Sequence, residues 1–306
     1  MQNGKLMQKV GIMVQSLAGQ FISLQIGDRI PTVEELARQN VVSRGTVQTA
    51  LTLLHEDGAV TFQPRGHMGT FVTFIDKLKL LALSGIKTVV GVMPLPYSKK
   101  YEGLATGLYT ALQEKGLSVA LAFMHGSNYR LNGLLEDRYD FAVVSFLTAR
   151  YYVDRGENIE ILQNFGRFTY VGRHVLLLRD DFKGDYDHCR VGIDHSSVDQ
   201  KTMTQQFFAE KNVEYVPLIY SQIVPFLAIG KIDAAVWNLD DIDLRRNHLR
   251  FEPLDDKKIN IADTEAAIIC KKKNLRISYI LRDLLGPARV LEIQKDVIEG
   301  KVLPKY

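Results

Sequence analysis

The stretch GDRIPTVEELARQNVVSRGTVQTALTLLHEDGAVTFQPRGHMGTFV, residues 27–72 of this 306-residue chain, decides the fold of its N-terminal part. Thr32 is followed three residues later by Glu35, which is the capping-box signature of a helix start. Ser43 gives a second start signal. Behind it, apolar residues recur at the i, i+3, i+4 and i+7 spacing of one buried helix face: Val47, Ala50, Leu51 and Leu54. These signals predict two helices separated by a short turn.

The residues on both sides extend this helix pair to a winged helix-turn-helix. Upstream, apolar residues fall three or four positions apart and predict a first helix: Leu6, Val10, Met13, Val14, Leu17 and Phe21. Downstream, β-type residues from Ala59 to Thr73 surround Pro64 and Gly66, which indicates a hairpin. The predicted fold class of residues 1–75 is therefore an α+β winged helix-turn-helix DNA-binding domain.

In a helix-turn-helix the second helix enters the major groove, and the side chains at its N-terminal end meet the base edges. Arg44 suits guanine or a phosphate, and Gln48 suits adenine. At the hairpin tip, Arg65 and His67 flank Gly66, so this tip can approach the DNA backbone or the minor groove. The predicted DNA-contacting residues are Ser43, Arg44, Gly45, Thr46, Gln48, Thr49, Arg65, Gly66 and His67.

The same stretch resembles the GntR-type bacterial transcription regulators. It shares their Gly-Asp-Arg-x-Pro-Thr opening, the E-E-L-A second helix, the V-S-R-x-T-V recognition start and the G-T-F-V exit from the wing. The resemblance implies DNA binding. Gly45 and Gln48 depart from the family pattern, which often has Arg at the position of Gln48, so the operator sequence is expected to differ from that of other members. A winged helix used only for protein docking is the alternative, because residues 1–75 carry 6 basic and 5 acidic side chains and the whole chain a formal charge of +3.

Beyond residue 86, predicted strands alternate with helices, which indicates parallel sheets covered on both faces. A linker at residues 76–86 leads into this α/β domain, residues 87–306. Its segments VGIDHSSVDQKTMTQQFF and SQIVPFLAIGKIDAAVW, at 191–208 and 221–237, resemble parts of type 2 periplasmic-binding-protein domains, as in LysR-type regulators. The whole chain also resembles the YhfZ-type proteins.

The binding-protein resemblance implies a two-lobed effector-binding domain, with its second lobe at about 170–242 and crossovers near 165–173 and 239–250. In open α/β sheets, ligands bind beyond the carboxyl ends of strands, where helix N-termini offer a partial positive charge. The residues predicted at such places are Tyr97, Ser98, His125, Ser127, Ser145, His195, Ser196, Ser197, Asn238 and Asp240. We expect Ser98 to face Ser196 and Ser197 across a cleft.

Each of these polar residues also has an ordinary structural role. Serine at a helix start is as often an N-cap as a ligand contact. Histidines such as His125 and His195 are more often ordinary surface or core residues than ligand contacts. As a group, however, they suit a carboxylate or another small polar metabolite.

Known catalytic and cofactor motifs are absent from the sequence. It contains no G-x-S-x-G, Walker A, G-x-G-x-x-G or H-E-x-x-H motif, and its two cysteines exclude a disulfide framework and a four-thiolate zinc site. The acidic pairs at 180–181, 240–241 and 255–256 are predicted to be turns and solvated surface. We therefore predict no catalytic residue, no metal site and no cofactor.

These features predict a bacterial transcriptional regulator, not an enzyme, that binds a palindromic double-stranded DNA operator as a homodimer. It would respond to a small polar or anionic metabolite. With no apolar run near the 20 residues of a membrane span, the chain is expected to be soluble and cytoplasmic, with no membrane partner. The alternative is a binding-protein-like enzyme acting on a small metabolite, with the winged helix in an accessory role.

Overall fold

The computed structural model describes residues 2–85, 88–240, 242–254 and 261–306, with side chains from Gln8 onward. Several predictions lie outside the described residues: the side chain of Leu6, the end of the linker at Ile86, the domain start at Lys87, and the acidic residues Asp241, Asp255 and Asp256. Within the described part of the chain, no helix is both long and apolar enough to span a bilayer.

The structure alternates helices and strands along the chain. The helices are α1 (Gln2–Phe21), α2 (Val33–Asn40), α3 (Arg44–Glu56), α4 (Lys77–Leu83), α5 (Lys99–Gln113), α6 (Ser127–Leu135), α7 (Phe146–Asp154), α8 (Val198–Phe207), α9 (Ile223–Ala228), α10 (Leu275–Tyr279) and α11 (Pro287–Ile298). The strands are β1 (Arg29–Ile30), β2 (Val60–Pro64), β3 (Thr70–Ile75), β4 (Thr88–Met93), β5 (Ser118–Phe123), β6 (Phe141–Ser145), β7 (Ile159–Asn164), β8 (His174–Arg179), β9 (Arg190–Ile193), β10 (Glu214–Pro217), β11 (Ala234–Asn238), β12 (Leu249–Pro253) and β13 (Ala266–Lys271).

The first of two compact units, here the N-terminal unit, combines the residues up to Thr88 with Lys273–Ile280. Strands β1, β3 and β2 form an antiparallel sheet in that order. The predicted capping box is confirmed: the hydroxyl of Thr32 accepts the Glu35 amide at 3.2 Å, and the Glu35 carboxylate accepts the Thr32 amide at 2.7 Å. These hydrogen bonds lower the pKa of Glu35. On α3, Val47, Ala50 and Leu54 are buried as predicted, whereas Leu51 is only half-buried.

The second unit, here the C-terminal unit, contains two five-stranded sheets. The first sheet has the order β5-β4-β6-β13-β7, and the second has β10-β9-β11-β8-β12. The predicted parallel pairing is found between β4 and β6, between β9 and β10, and between β9 and β11. Both sheets are nevertheless mixed, because β13 runs antiparallel to β6 and β7, and β8 antiparallel to β11 and β12. In each case the antiparallel strand is the first one after the chain crosses between the sheets: β8 is the first strand of the second sheet, and β13 is the strand on which the chain returns to the first sheet.

The second sheet also continues further along the chain than predicted. Because β12 pairs with β8, the chain returns to the first sheet only after Pro253. The predicted limit near residue 242 and the crossover at 239–250 therefore fall too early. The sequence of β12 (Leu-Arg-Phe-Glu-Pro) does alternate apolar and polar residues as a half-buried strand does, but over only four residues, which is the shortest such signal.

Helices α5 and α11 pack closely through two glycines four residues apart. A Cβ atom added at Gly107 would lie 2.5 Å from the carbonyl oxygen of Val290, and one at Gly103 would lie 2.8 Å from that of Gln294. Both obstacles are backbone atoms, so relief requires the helices to separate.

We expect Gly107→Ala to lower the free energy of unfolding by about 1–3 kcal/mol, the usual cost of forcing extra volume into a packed core. Gly11→Ala is the matched control, because an added Cβ there meets nothing within 4 Å in α1. The control should be neutral or stabilising by up to about 1 kcal/mol. Urea unfolding followed by circular dichroism measures both, and equal effects of the two changes would contradict the close packing.

Candidate functional site

The N-terminal end of α3 is organised by a hydroxyl pair. The Ser43 hydroxyl accepts the Thr46 amide at 3.2 Å and lies 2.9 Å from the Thr46 hydroxyl. Thr46 is only 6% exposed. Its side chain is therefore part of the cap and the core, and this burial removes it from the predicted DNA contacts.

The other predicted residues of α3 form an exposed polar face. Arg44, Gly45, Gln48 and Thr49 are all exposed. The Arg44 guanidinium lies 2.7 Å from the carboxylate of Glu34, and both side chains are about two-thirds exposed. An ion pair this exposed contributes little to stability, so Arg44 is available to a stronger anionic partner such as phosphate.

The tip of the β2–β3 hairpin is also exposed and basic. Arg65, Gly66 and His67 are solvent-accessible, and Gly66 begins a short 3-10 turn with a φ of +56°. The Arg65 guanidinium lies over the ring of Phe71 at 4.8 Å from its centre, which orients the charge.

In the C-terminal unit, a cavity of about 60 Å³ lies among the loops of the two sheets. Four of the predicted ligand-binding residues line it: Tyr97, His125, Ser127 and Ser197. This volume exceeds the roughly 10–15 Å³ that one ordered water needs, so the cavity has room for a small ligand.

Arg130 is the main charged group of the cavity wall. It sits in the first turn of α6 and is only 4% exposed. Its Nη1 donates to the carbonyl of Met124 at 2.8 Å and its Nη2 to the hydroxyl of Tyr170 at 3.3 Å. Within the described residues, its Nε has no hydrogen-bond partner and no carboxylate pairs with the guanidinium. A buried, unpaired charge is costly, and such groups cluster at functional sites.

Acidic groups occupy another part of the same wall. Asp199 is buried, and one of its oxygens accepts hydrogen bonds from the hydroxyls of Ser145 and Thr148, each at 2.8 Å. Burial raises the pKa of Asp199. The ring of His174 also faces the cavity, and its Nδ1 lies 2.6 Å from the buried carboxylate of Asp263.

Three tyrosines complete the wall with neutral hydroxyls. Burial raises the pKa of Tyr170 to about 12, and it also raises the pKa values of Tyr101 and Tyr220 well above normal. All three therefore stay protonated at physiological pH. The Tyr220 ring stacks on Trp237 at 4.0 Å between ring centres, which fixes its position.

The N-termini of α6 and α8 meet directly beside the cavity. The Ser127 hydroxyl accepts a hydrogen bond from the backbone amide of Val198 at 3.1 Å. The backbone amide of Asn128 donates to the Ser196 carbonyl at 3.0 Å. Gly126, with a φ of +68°, permits this approach, because a Cβ there would overlap the Ser196 hydroxyl. Two helix N-termini, each with a partial positive charge, thus converge near Arg130.

The remaining predicted ligand residues have other roles. Ser98 and Ser145 are buried N-caps of α5 and α7. The Ser196 hydroxyl donates to Asp194, His195 is exposed, and the carboxylate of Asp240 accepts the Gly172 amide. Asn238 is buried, and its backbone amide donates to the Tyr220 hydroxyl at 2.9 Å. Ser196 meets Gly126 and the backbone amide of Asn128, and Ser98 is not among the described residues that line the cavity.

Sequence reasoning missed Arg130, Tyr170, His174 and Asp199. Arg130 lies inside a predicted helical stretch, where an arginine is usually a surface charge. One signal was present: Arg130 falls three residues after Ser127, in the first turn of a helix that follows a strand, which is where ligands bind in α/β folds.

Two family models match successive parts of the chain. Residues 25–72 match a helix-turn-helix domain model, and residues 76–306 match a model of the YhfZ C-terminal domain. The YhfZ protein of Escherichia coli (strain K12) is 35% identical over 301 residues, which cover 98% of each chain. The chain belongs to the YhfZ family.

Solved structures give the same picture for this YhfZ-family chain. The crystal structure of YhfZ from Shigella flexneri superposes with a TM-score of 0.63 at 36% identity, covering 75% of this chain and 97% of that one. An ancestral arginine-binding protein bound to arginine gives 0.51 at 12% identity, covering 70% and 97%. The VFT2 domain of Bordetella pertussis BvgS gives 0.51 at 16% identity, covering 73% and 98%. The C-terminal part thus has a fold resembling periplasmic binding proteins, and the helix-turn-helix points to a DNA-binding regulator rather than an enzyme.

Proposed function

We propose that this YhfZ-family chain is a ligand-responsive transcriptional regulator that senses a small carboxylate. The single observation that carries the ligand class is Arg130, a buried guanidinium in a cavity wall with an unpartnered Nε. A carboxylate can accept from a guanidinium in a bidentate, charge-assisted geometry that a neutral ligand lacks. The cavity has room for a small ligand of this class.

The DNA-binding half of the proposal rests on exposed residues of the N-terminal unit. Arg44, Gln48 and Thr49 on α3, with Ser43 at its cap, would meet bases and phosphates, and Arg65 with His67 would meet the backbone or the minor groove. The GntR-type resemblance and the hairpin after α3 support a winged helix-turn-helix over residues 1–75. Residues 76–86 would link it to the effector domain at 87–306.

We further propose that the chain acts in the cytoplasm as a homodimer on a palindromic operator. The two sheets of the C-terminal unit would be the two lobes of a binding-protein-like domain. Two copies of α3 related by a twofold axis would then read half-sites about one helical turn apart.

Selection from random DNA duplexes with the full-length chain tests this function. We expect enrichment of an inverted repeat, and we expect its affinity to change when acetate, glycine, lactate or another two- to four-carbon carboxylate is added. Absence of any enriched sequence would contradict DNA recognition. Conversion of an added carboxylate to a product, detected by mass spectrometry, would instead favour an enzyme.

A further inference from the structure

The segment Lys273–Ile280, here the connector, folds with the N-terminal unit although its chain neighbours do not. Lys272 and Leu281 both belong to the C-terminal unit. The chain therefore leaves the C-terminal unit at the end of β13, adds α10 to the N-terminal unit and returns towards α11.

The connector is packed into the N-terminal unit rather than loosely attached. Ile277 and Ile280 are 3% and 0% exposed. The Arg276 side chain crosses α1 at Gly19, where its Cδ lies 3.0 Å from the place of an added Cβ. The ammonium of Lys77 in α4 lies 5.1 Å from the ring centre of Tyr279.

Few residues separate the connector from the proposed recognition helix. Gln15, Ser16, Gly19 and Gln20 of α1 line a groove together with connector residues. The Ser16 hydroxyl donates to Oδ1 of Asn40 at 2.7 Å, and Asn40 is the last residue of α2. Ser43, the N-cap of α3, follows three residues later.

The chain on the other side of the connector leads to the cavity. Gln294 of α11 donates through Nε2 to the carbonyl of Thr169 at 2.8 Å. The next residue, Tyr170, accepts a hydrogen bond from Arg130. Before the connector, β13 pairs with β6, whose last residue, Ser145, donates to Asp199.

Between the connector and α11 lies a π-helical turn, Ile280–Leu284, which spans the limit between the units. A π-helical turn holds one residue more than an α-helical turn, and such turns often occur at functional sites. Its conversion to α-helix would shift the register of the chain by one residue and would give a second, discrete arrangement of this turn.

We infer that the connector transmits the state of the cavity to the DNA-binding face, so that closure around the ligand changes operator affinity through α10, α1 and the end of α2. This inference rests on the proposed function, because it concerns the regulation of the proposed cavity. Coupling between two sites needs an element whose arrangement both sites bias, and the π-helical turn with α10 is that element.

A double-mutant cycle tests the connector without knowledge of the ligand. Gly126→Ala holds the N-termini of α6 and α8 apart, and Gly116→Ala is its control, because Gly116 has a φ of +76° but an added Cβ there meets nothing within 4 Å. Insertion of Gly-Gly-Ser between the exposed residues Lys272 and Lys273 lengthens the chain between β13 and the connector and makes it flexible. The same insertion after the exposed residue Gly156 is its control. Affinity is measured for the duplex selected with the full-length chain.

We expect Gly126→Ala to change the affinity for the duplex about 5- to 150-fold, the usual range of allosteric coupling. The change should persist with the insertion after Gly156 and disappear with the insertion after Lys272. Arg276→Ala, a milder change of an exposed side chain, should reduce it, with Arg150→Ala as the control for the lost charge. An equal effect of Gly126→Ala in all backgrounds, or no effect in any, would overturn the inference while leaving DNA binding intact.

Amide hydrogen exchange of α1 keeps the test independent of DNA. Gly126→Ala should change the exchange rates of residues 15–20, and the insertion after Lys272 should abolish that change. Unaltered exchange in α1 would overturn the inference, whereas failure of the duplex selection would count against the proposed function alone.

Discussion

Arg130→Met is expected to weaken the binding of small carboxylates to the C-terminal unit by at least about 30-fold. Removing one partner of a buried, charge-assisted hydrogen-bonded pair typically costs 2–5 kcal/mol of binding free energy, and each 1.4 kcal/mol is tenfold in affinity. Isothermal titration with acetate, glycine and lactate measures the loss. Arg130→Lys keeps the charge but not the planar fork, so it should bind with intermediate affinity.

The unliganded protein separates this role from a structural one. Because Arg130 is buried without a carboxylate partner within the described residues, its replacement by Met removes the cost of burying an unpaired charge, but it also removes the hydrogen bonds to Met124 and Tyr170. These two effects oppose each other, so we expect the melting temperature of the unliganded Arg130→Met variant to change by only a few degrees. A variant that unfolds at a markedly lower temperature, and still binds carboxylates when folded, would contradict the assignment.

Arg44→Ala is expected to weaken operator binding about 5- to 150-fold for each half-site. A well-placed bidentate contact to guanine is worth about 1–3 kcal/mol of discrimination. The fold should be unaffected, because Arg44 is exposed and makes only a solvated ion pair with Glu34. Gel-shift titration with the selected duplex measures the change, and retained sequence-specific binding would contradict this placement of α3.

Two neighbouring residues serve as controls for the Arg44 measurement. Arg38→Ala removes one positive charge from the exposed side of α2 and should cause a smaller, more uniform loss across DNA sequences. Glu34→Gln removes the carboxylate that holds Arg44 and should tighten binding modestly. A loss with Glu34→Gln as large as that with Arg44→Ala would show that the ion pair itself is required.

The helix starts of the N-terminal unit were predictable because their signals are local. Thr32 and Glu35 are three residues apart, and so are Ser43 and Thr46, so the caps follow from short-range hydrogen bonding. The same short-range hydrogen bonding places the Thr46 hydroxyl in the cap of α3, where its side chain is buried. The prediction of Thr46 as a DNA contact rests on its position at the helix start, and position alone does not distinguish a capping hydroxyl from an exposed one.

The candidate cavity depends on contacts between distant parts of the chain. Arg130 meets Tyr170 across 40 positions, Ser145 meets Asp199 across 54, and His174 meets Asp263 across 89. No single-sequence spacing rule links residues so far apart. For the same reason, the sequence placed serines correctly at helix starts but could not tell which of them line the cavity. Ser98 and Ser145 cap helices without lining the cavity, whereas Ser127 and Ser197 belong to the cavity wall.

The connector has a consequence for the order in which the protein is made. About 180 residues separate Thr88 from Lys273, so the N-terminal unit emerges from the ribosome long before its last helix is synthesised. At 5–20 residues per second, this interval lasts about 10–40 s. During that time Gly19 and its neighbours on α1 lack the partner that covers them. A chain whose synthesis stops within the interval carries an N-terminal unit without α10, so only chains extended beyond Ile280 possess the complete N-terminal unit.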